Sequence, residues 1–274
     1  MGTSTDPGSL AEILASLGAA GRRLDEIGAA EAGAGNMSVA VAGMLDLADT
    51  FPQSRDIDLP IAVPALAGHT ILVTGSGCRL RSVADDPLGN VGAVVVHDGG
   101  RTGTLHLCAT GGFARPTSEF NSHLAVHDDH VSRRGVVFHA VLHAQPPHLT
   151  LLSHMPGFQS TEALTHVVLR WQPETIIALP EGVAYLPFMV PGSGELMGST
   201  VAQLRAHQVV VWAKHGAMAR SDASPLTACD KIEYAEAGAH YAYLNLCSGG
   251  RAQGLSDAEL RRIAAAFNVP TTLY

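Results

Sequence analysis

The sequence has few charges, no closely paired cysteines and no long apolar run, and each absence removes a class of function. Only 15% of the 274 residues are charged, with a net charge of −8 and a pI near 5.9. No Lys/Arg cluster is longer than Arg133–Arg134, so nothing offers an electrostatic footprint for nucleic acid or an anionic membrane surface. Cys78, Cys108, Cys229 and Cys247 form no CxxC pair, which argues against a zinc knuckle or disulfide framework and fits a reducing compartment. The first residues lack the basic and apolar regions of a signal peptide, and no apolar run approaches the length of a membrane span. The expected location is the cytoplasm.

What the sequence does have is apolar content and histidine. At 46% hydrophobic the chain can bury a large core, and its length fits one big domain, residues 9–274, after a flexible tail at 1–8. There are 14 histidines, several of them between His123 and His154, where metal or proton chemistry could use them.

Leu10, Ile13, Leu14, Leu17, Leu24 and Ile27 recur at near-helical spacing and predict an opening helix within 9–31, broken at Gly33-Ala34-Gly35-Asn36. Short β-rich runs follow at Met37–Val41, Ile71–Thr74, Ala93–His97 and Leu105–Cys108, bounded by turn residues. From Thr117 the pattern alternates. It predicts a helix over 118–131, a strand at Val136–His143, helices near Leu149–His154 and Ser160–Arg170, and strands at Thr175–Leu179 and Val209–Ala213. Helices are expected from Pro225 to Cys247 and, capped by Ser256 with Glu259, from Asp257 to Phe267. The fold class is α/β, a mixed and largely antiparallel central sheet covered by helices.

Four segments can carry chemistry. Val73-Thr74-Gly75-Ser76-Gly77 is an apolar strand ending in a glycine-rich turn, which suits an anion, although such a tripeptide is more often only a turn. Pro116-Thr117-Ser118-Glu119 stands at a helix start, where hydroxyls and free N–H groups can hold an anion or simply cap the helix. His143 and Gln145 close an apolar strand on one face, and two donors converging at the mouth of a sheet suit a metal. His139 shares that alternation from further back and reads as a core histidine, and His123 and His127 read as buried packing or surface residues rather than a separate metal face. His215-Gly216 places an imidazole after the strand Val209–Trp212, as a distant ligand or a surface residue.

Taken in order, Gly35-Asn36-Met37-Ser38, the glycine-rich turn at 74–77, Pro116–Glu119, the His143/Gln145 pair and Lys214-His215-Gly216 resemble the class II aldolase and adducin family. Within it the pattern is most similar to the L-rhamnulose-1-phosphate aldolases, over nearly the whole chain. The resemblance implies a zinc ion held by two histidines of an HxH pair and a third from the His-Gly segment. Here Gln145 occupies the second position, so the metal could be Zn2+ or, given that amide, Co2+ or Mn2+. Either Gln145 completes the triad or His148 substitutes for it. The resemblance further implies phosphate contacts at Gly35, Asn36, Gly75, Ser76, Thr117 and Ser118, an acid/base role for Glu119 and an accessory one for Glu174. It implies a homotetramer, and a reaction that cleaves a ketose 1-phosphate to dihydroxyacetone phosphate and a short aldehyde. Rival activities within the superfamily are pentulose-phosphate epimerisation, whose enzymes carry aspartate at the Glu119 position, and thio-sugar-phosphate dehydration. A non-catalytic adducin-like scaffold is the reading from outside enzymology.

Overall fold

The computed structural model describes residues 8–274, so residues 1–7 of the expected tail lie outside the described residues. The N-terminal half runs α1 (Leu10–Glu26), β1 (Asn36–Val41), β2 (Gln53–Asp58), β3 (Thr70–Thr74), α2 (Pro87–Asn90), β4 (Val91–Val96) and β5 (Thr102–Leu107). α3 (Phe120–Arg134), β6 (Phe138–Ala144), α4 (Pro147–His154), α5 (Thr161–Leu169) and α6 (Pro173–Ala178) follow. The chain closes with β7 (Ala184–Leu186), α7 (Gly194–Leu204), β8 (Val209–Trp212), β9 (Gly216–Ser221), α8 (Pro225–Cys247) and α9 (Asp257–Ala266).

One sheet carries nine strands in the order β2-β5-β4-β3-β1-β6-β9-β8-β7. Every pairing is antiparallel except β7 with β8, as the hairpin-rich pattern of the first half demands. The chain is a single α/β domain with helices on both faces of the sheet, the arrangement that lets two apolar surfaces of one sheet be covered. On one face, Leu17 and Leu24 of α1, Leu149 of α4 and Ile232 of α8 pack on Met37, Val39, Ala140 and Leu142. On the other, Phe120 and Leu124 of α3 pack on Ala40, Ile71 and Val94, while Val126 joins Leu196 of α7 and Trp212.

Period-two alternation sorts β1 and β6 between those faces. Met37, Val39 and Val41 point with Phe138, Ala140, Leu142 and Ala144 into the first core. Asn36, Ser38 and Ala40 therefore share the α3 face with His139, Val141 and His143, and the register pairs Asn36 with His143 and Ala40 with His139. A polar seam thus runs along the middle of the sheet beneath α3.

The elements that differ from the sequence reading include β7 and β9, for which it predicts no strand. Thr175–Leu179 is not a strand but part of α6, because Pro173 sits at its first turn and Thr175, Ile176 and Leu179 bury at helical spacing. β2 gives no sequence signal because Gln53–Asp58 is a polar, solvent-facing edge strand without an apolar period. α7 gives little either, its apolar residues being diluted by Gly194, Gly198 and Ser199.

Candidate metal centre and active site

Three elements bring the site together at one end of the sheet. β6 delivers His143 from its penultimate position, the β8–β9 turn delivers His215, and the start of α3 delivers Glu119. The hydroxyl residues before Glu119 do not cap α3 with their side chains in the usual way; instead Glu119 itself stands at the N-cap with its carboxylate turned into the protein. There Oε2 lies 3.6 Å from His143 Nε2 and Oε1 lies 3.7 Å from His215 Nε2. The imidazoles of His143 and His215 meet edge to face at 4.8 Å, and His143 leans on the Trp212 indole at 4.6 Å.

The tautomer of His143 follows from its neighbour. Nδ1 lies 3.0 Å from the Ala217 carbonyl, which can only accept, so Nδ1 carries a proton and Nε2 is the nitrogen that faces the cluster. Burial pushes His215 down to about 4, aided by His143 and opposed by Glu119. Burial raises the Glu119 carboxyl, but His143, the Asn36 amide and His215 outweigh it and hold the group below its ordinary value. Glu119 Oε1 is buried without a hydrogen-bond donor. The His143 and His215 imidazoles are donors that fit a divalent metal ion, and the unpartnered Glu119 oxygen stands beside them, the three ligand atoms lying within 4.8 Å of one another.

Gln145 flanks this set. A Cβ built on Gly216 would lie 3.0 Å from His143 Cε1 and 3.2 Å from Gln145 Cγ, which puts the glutamine side chain beside both the β6 histidine and the His215 turn. His148 does not substitute for it. Its Nδ1 is bonded to Glu236, its ring stacks on His240 at 4.1 Å, and Glu236 also accepts the His148 and Leu149 backbone N–H groups at the start of α4. The Pro146-Pro147 step starts a helix that turns this ring toward α8.

The expected phosphate residues also converge. A bridge pairs Gly75 with Pro116, and Thr117 N–H donates to the Thr74 carbonyl at 3.1 Å, so the glycine turn and the start of α3 form one wall. The backbone N–H groups of Gly75 and Ser76 are spent on Asn90 and Arg115 carbonyls, which leaves Ser76 its exposed hydroxyl rather than a backbone cradle. Thr117 and Ser118 line a cavity of about 740 Å³ together with Arg55 and Arg115, two cations that the sequence did not mark. Gly35 is required by its φ of +79° and by Leu80 and the His143 carbonyl, each 2.9 Å from where a Cβ would stand.

Asn36 has a different employment from the one expected. Its Nδ2 donates to Glu119 Oε2 at 2.9 Å and its Oδ1 faces His123 Nε2, so both ends of the amide are engaged inside the protein. Glu174 is not brought to the cluster within one chain: it is exposed in the first turn of α6 and pairs with none of the site residues.

Two other features could be mistaken for the centre. A larger cavity, about 820 Å³, opens at the opposite end of β6 around Arg220, Asp222 and Lys231, away from Glu119. His130, His139 and Asp222 cluster nearby, but the His130 and His139 rings stack within 19° of parallel. Their in-plane lone pairs run side by side rather than converge, and His130 Nε2 is paired with Asp222 at 2.6 Å.

The sequence model of the Class II Aldolase and Adducin N-terminal domain matches residues 15–243. The chain belongs to the class II aldolase and adducin family. As a class II aldolase it is a metal-dependent carbon–carbon lyase, and its donor set is in keeping with that. Rhamnulose-1-phosphate aldolase of Bacteroides thetaiotaomicron is 28% identical over 245 residues, 89% of each chain. The protein of that name from Yersinia pseudotuberculosis is 30% identical over 221 residues, 81% of this chain and 80% of its own. A sugar-phosphate aldolase structure from Thermotoga maritima superposes with a TM-score of 0.75 at 27% identity, covering 90% of this class II aldolase and 99% of that chain. An L-fuculose-1-phosphate aldolase from Thermus thermophilus, at 19% identity, TM-score 0.57 and coverage of 89% of this chain and 100% of its own, shares the fold. Among the described residues no helix is long and apolar enough to cross a membrane.

Proposed function

We propose that this aldolase cleaves a ketose 1-phosphate of the rhamnulose 1-phosphate type to dihydroxyacetone phosphate and a short aldehyde, with Glu119 as the acid/base. The observation that carries the reading is the buried Glu119 carboxylate, set 3.6 and 3.7 Å from the His143 and His215 imidazoles, with the hydroxyls of Ser76, Thr117 and Ser118 on the adjoining wall. The rhamnulose-1-phosphate aldolases it resembles support the substrate class.

His143 and His215 hold the metal in this reading, with Gln145 as third ligand and Zn2+ as the ion; Co2+ and Mn2+ are the alternatives that an amide oxygen favours. Bound there, the cation supplies the Lewis acid that lets negative charge develop beside a carbonyl. Glu119 moves the proton. In synthesis the ionised carboxylate takes a proton from C3 of dihydroxyacetone phosphate and the C4 oxygen gains one as the C3–C4 bond forms; cleavage is the reverse, the C4 hydroxyl giving up a proton as the bond breaks and the protonated Glu119 returning its own to C3. Its depressed pKa keeps it ready as a base at neutral pH, and its burial shields the reacting carbon from bulk water. The phosphate lies against Gly35, Gly75, Ser76, Thr117 and Ser118, and Arg55 and Arg115 line the cavity that Thr117 and Ser118 border.

Placement in the cytoplasm and assembly as a homotetramer complete the proposal. Tyr241, Leu244 and Leu246 are each about half exposed along the end of α8, which suits packing against another copy. Glu174, exposed on α6, has no acid/base role within one chain.

A panel of ketose 1-phosphates assayed with zinc, cobalt and manganese tests the reading. Release of dihydroxyacetone phosphate and free aldehyde supports it. An epimer or a dehydrated diketone as the product identifies one of the rival chemistries.

A further inference from the structure

Behind Glu119 a chain of buried polar groups runs the length of the seam between α3 and the sheet. Asn36 Nδ2 contacts Glu119 Oε2 at 2.9 Å, and Asn36 Oδ1 contacts His123 Nε2 at 2.5 Å. His123 Nδ1 meets Ser38 Oγ at 2.6 Å, Ser38 Oγ meets His127 Nε2 at 2.7 Å, and His127 Nδ1 meets His139 Nδ1 at 2.8 Å. His139 Nε2 ends the chain without a partner. Ser38, His123, His127 and His139 have no solvent exposure at all. The residues come from three elements: β1 supplies Asn36 and Ser38 at period two, α3 supplies His123 and His127 at i and i+4, and β6 supplies His139.

The sense of every hydrogen bond in this chain is fixed by its first member. Asn36 turns its NH2 toward Glu119 Oε2 and its carbonyl oxygen toward His123. His123 must then donate through Nε2, and a neutral imidazole with a proton on Nε2 has a bare Nδ1. Ser38 therefore donates its hydroxyl proton to His123 and accepts from Nε2–H of His127. His127 is left with a bare Nδ1, which takes the Nδ1–H of His139, and the last atom, His139 Nε2, carries only a lone pair. Burial keeps these rings neutral: it pushes His123 down to about 3, and holds His127 and His139 well below the usual histidine value. With donors pointing the other way, Asn36 would aim its carbonyl oxygen at the Glu119 carboxylate, two acceptors 2.9 Å apart.

We infer that Ser38, His123, His127 and His139 are positioning residues that act through Asn36, a one-directional hydrogen-bond chain that locks the Asn36 amide in the orientation that donates to Glu119 and aims its carboxylate at the reacting carbon. The inference rests on the reading of Glu119 as the acid/base. Such remote partners of a catalytic carboxylate cannot touch substrate, yet losing one frees the amide to flip.

Two measurements test it, and the first does not depend on turnover. In ¹⁵N spectra of the zinc-loaded protein labelled on histidine, with signals assigned from His123→Gln, His127→Gln and His139→Gln, His123 and His127 should be Nε2–H tautomers and His139 the Nδ1–H tautomer. A bare Nε2 on His123, a mixture of tautomers or a protonated ring in the chain would overturn the inference, whatever the substrate proves to be. The second compares Ser38→Ala with Val39→Ala, its neighbour on β1 that points to the opposite core. Ser38→Ala should lower kcat by roughly 10- to 100-fold with KM and bound zinc unchanged, while Val39→Ala, which leaves a void without touching the chain, should leave kcat unchanged. Full kcat in Ser38→Ala, or an equal loss in Val39→Ala, would show that the chain is packing only.

Discussion

Gly216→Ala is the substitution whose effect the geometry determines most sharply. The new methyl would stand 2.4 Å from the Ala144 carbonyl oxygen, about 1 Å inside an ordinary contact, and also 3.0 Å from His143 Cε1. The carbonyl belongs to a strand paired on both sides and cannot yield alone, so β6 and the turn carrying His215 must separate. Overpacking of this kind costs about 1–3 kcal/mol, a fall in Tm of roughly 2–12 °C for a chain of this size. The larger consequence is local. A shift approaching 1 Å between His143 and His215 spoils a donor set whose ligand bonds tolerate a few tenths of an ångström, and a misplacement of that size costs activity on the order of 100-fold. Gly198→Ala is the control: it sits exposed in α7 with nothing within 4 Å of the added methyl, so its Tm should be unchanged or slightly raised. Differential scanning calorimetry with metal analysis after dialysis reads both variants. If Gly216→Ala retained zinc and melted with Gly198→Ala, the close packing of β6 against the His215 turn would not be what holds the two imidazoles together.

The remaining predictions concern the groups around that pair. His148→Ala should lower stability by about 1–3 kcal/mol through loss of its bond to the Glu236 carboxylate, yet leave metal content intact; loss of zinc would restore His148 to the ligand set. Thr200→Val removes the acceptor of the buried Trp212 indole N–H, 2.9 Å away, and should cost about 1–3 kcal/mol in denaturant melts. His123, His127 and His139 are buried neutral with folded pKa values far below the unfolded one. The unfolded chain therefore binds more protons below pH ~6.5, and stability falls as pH drops through that value, by about 1.4 kcal/mol per pH unit for each ring. Equal denaturation midpoints at pH 7 and pH 5 would contradict the assignment of neutral buried rings.

Much of the site was legible because its residues sit where local rules put them. His143 falls at the end of an apolar strand, Glu119 at the start of a helix and His215 in a hairpin turn, and each position is dictated by periodicity or a turn residue. What sequence order hid is how α3 lies over β1. The i, i+4 pair of His123 and His127 and the alternation of Asn36 with Ser38 were both visible, but only tertiary packing shows that they interleave. The resemblance implies a phosphate contact for Asn36, whereas in the structure its amide is engaged by Glu119 and His123. The Thr175–Leu179 segment misled in the opposite way: a short apolar run suits a strand or a helix equally, and Pro173 decided for the helix. β2 is stabilised by its ladder to β5 and not by burial, so its side chains carried no signal. Arg55 and Arg115 lie far apart in sequence and share the cavity beside Ser118 only because β2 and the segment before α3 meet there.

The central claim is that Glu119 moves the proton beside a metal held by His143 and His215. The most direct measurement is aldol cleavage by the zinc-loaded Glu119→Gln protein, following dihydroxyacetone phosphate release from L-rhamnulose 1-phosphate alongside the zinc content of the same sample. The account predicts a fall in kcat of about 100- to 10,000-fold, the range of a general acid/base, with zinc retained. Zinc retained with kcat within tenfold of the parent protein would contradict it.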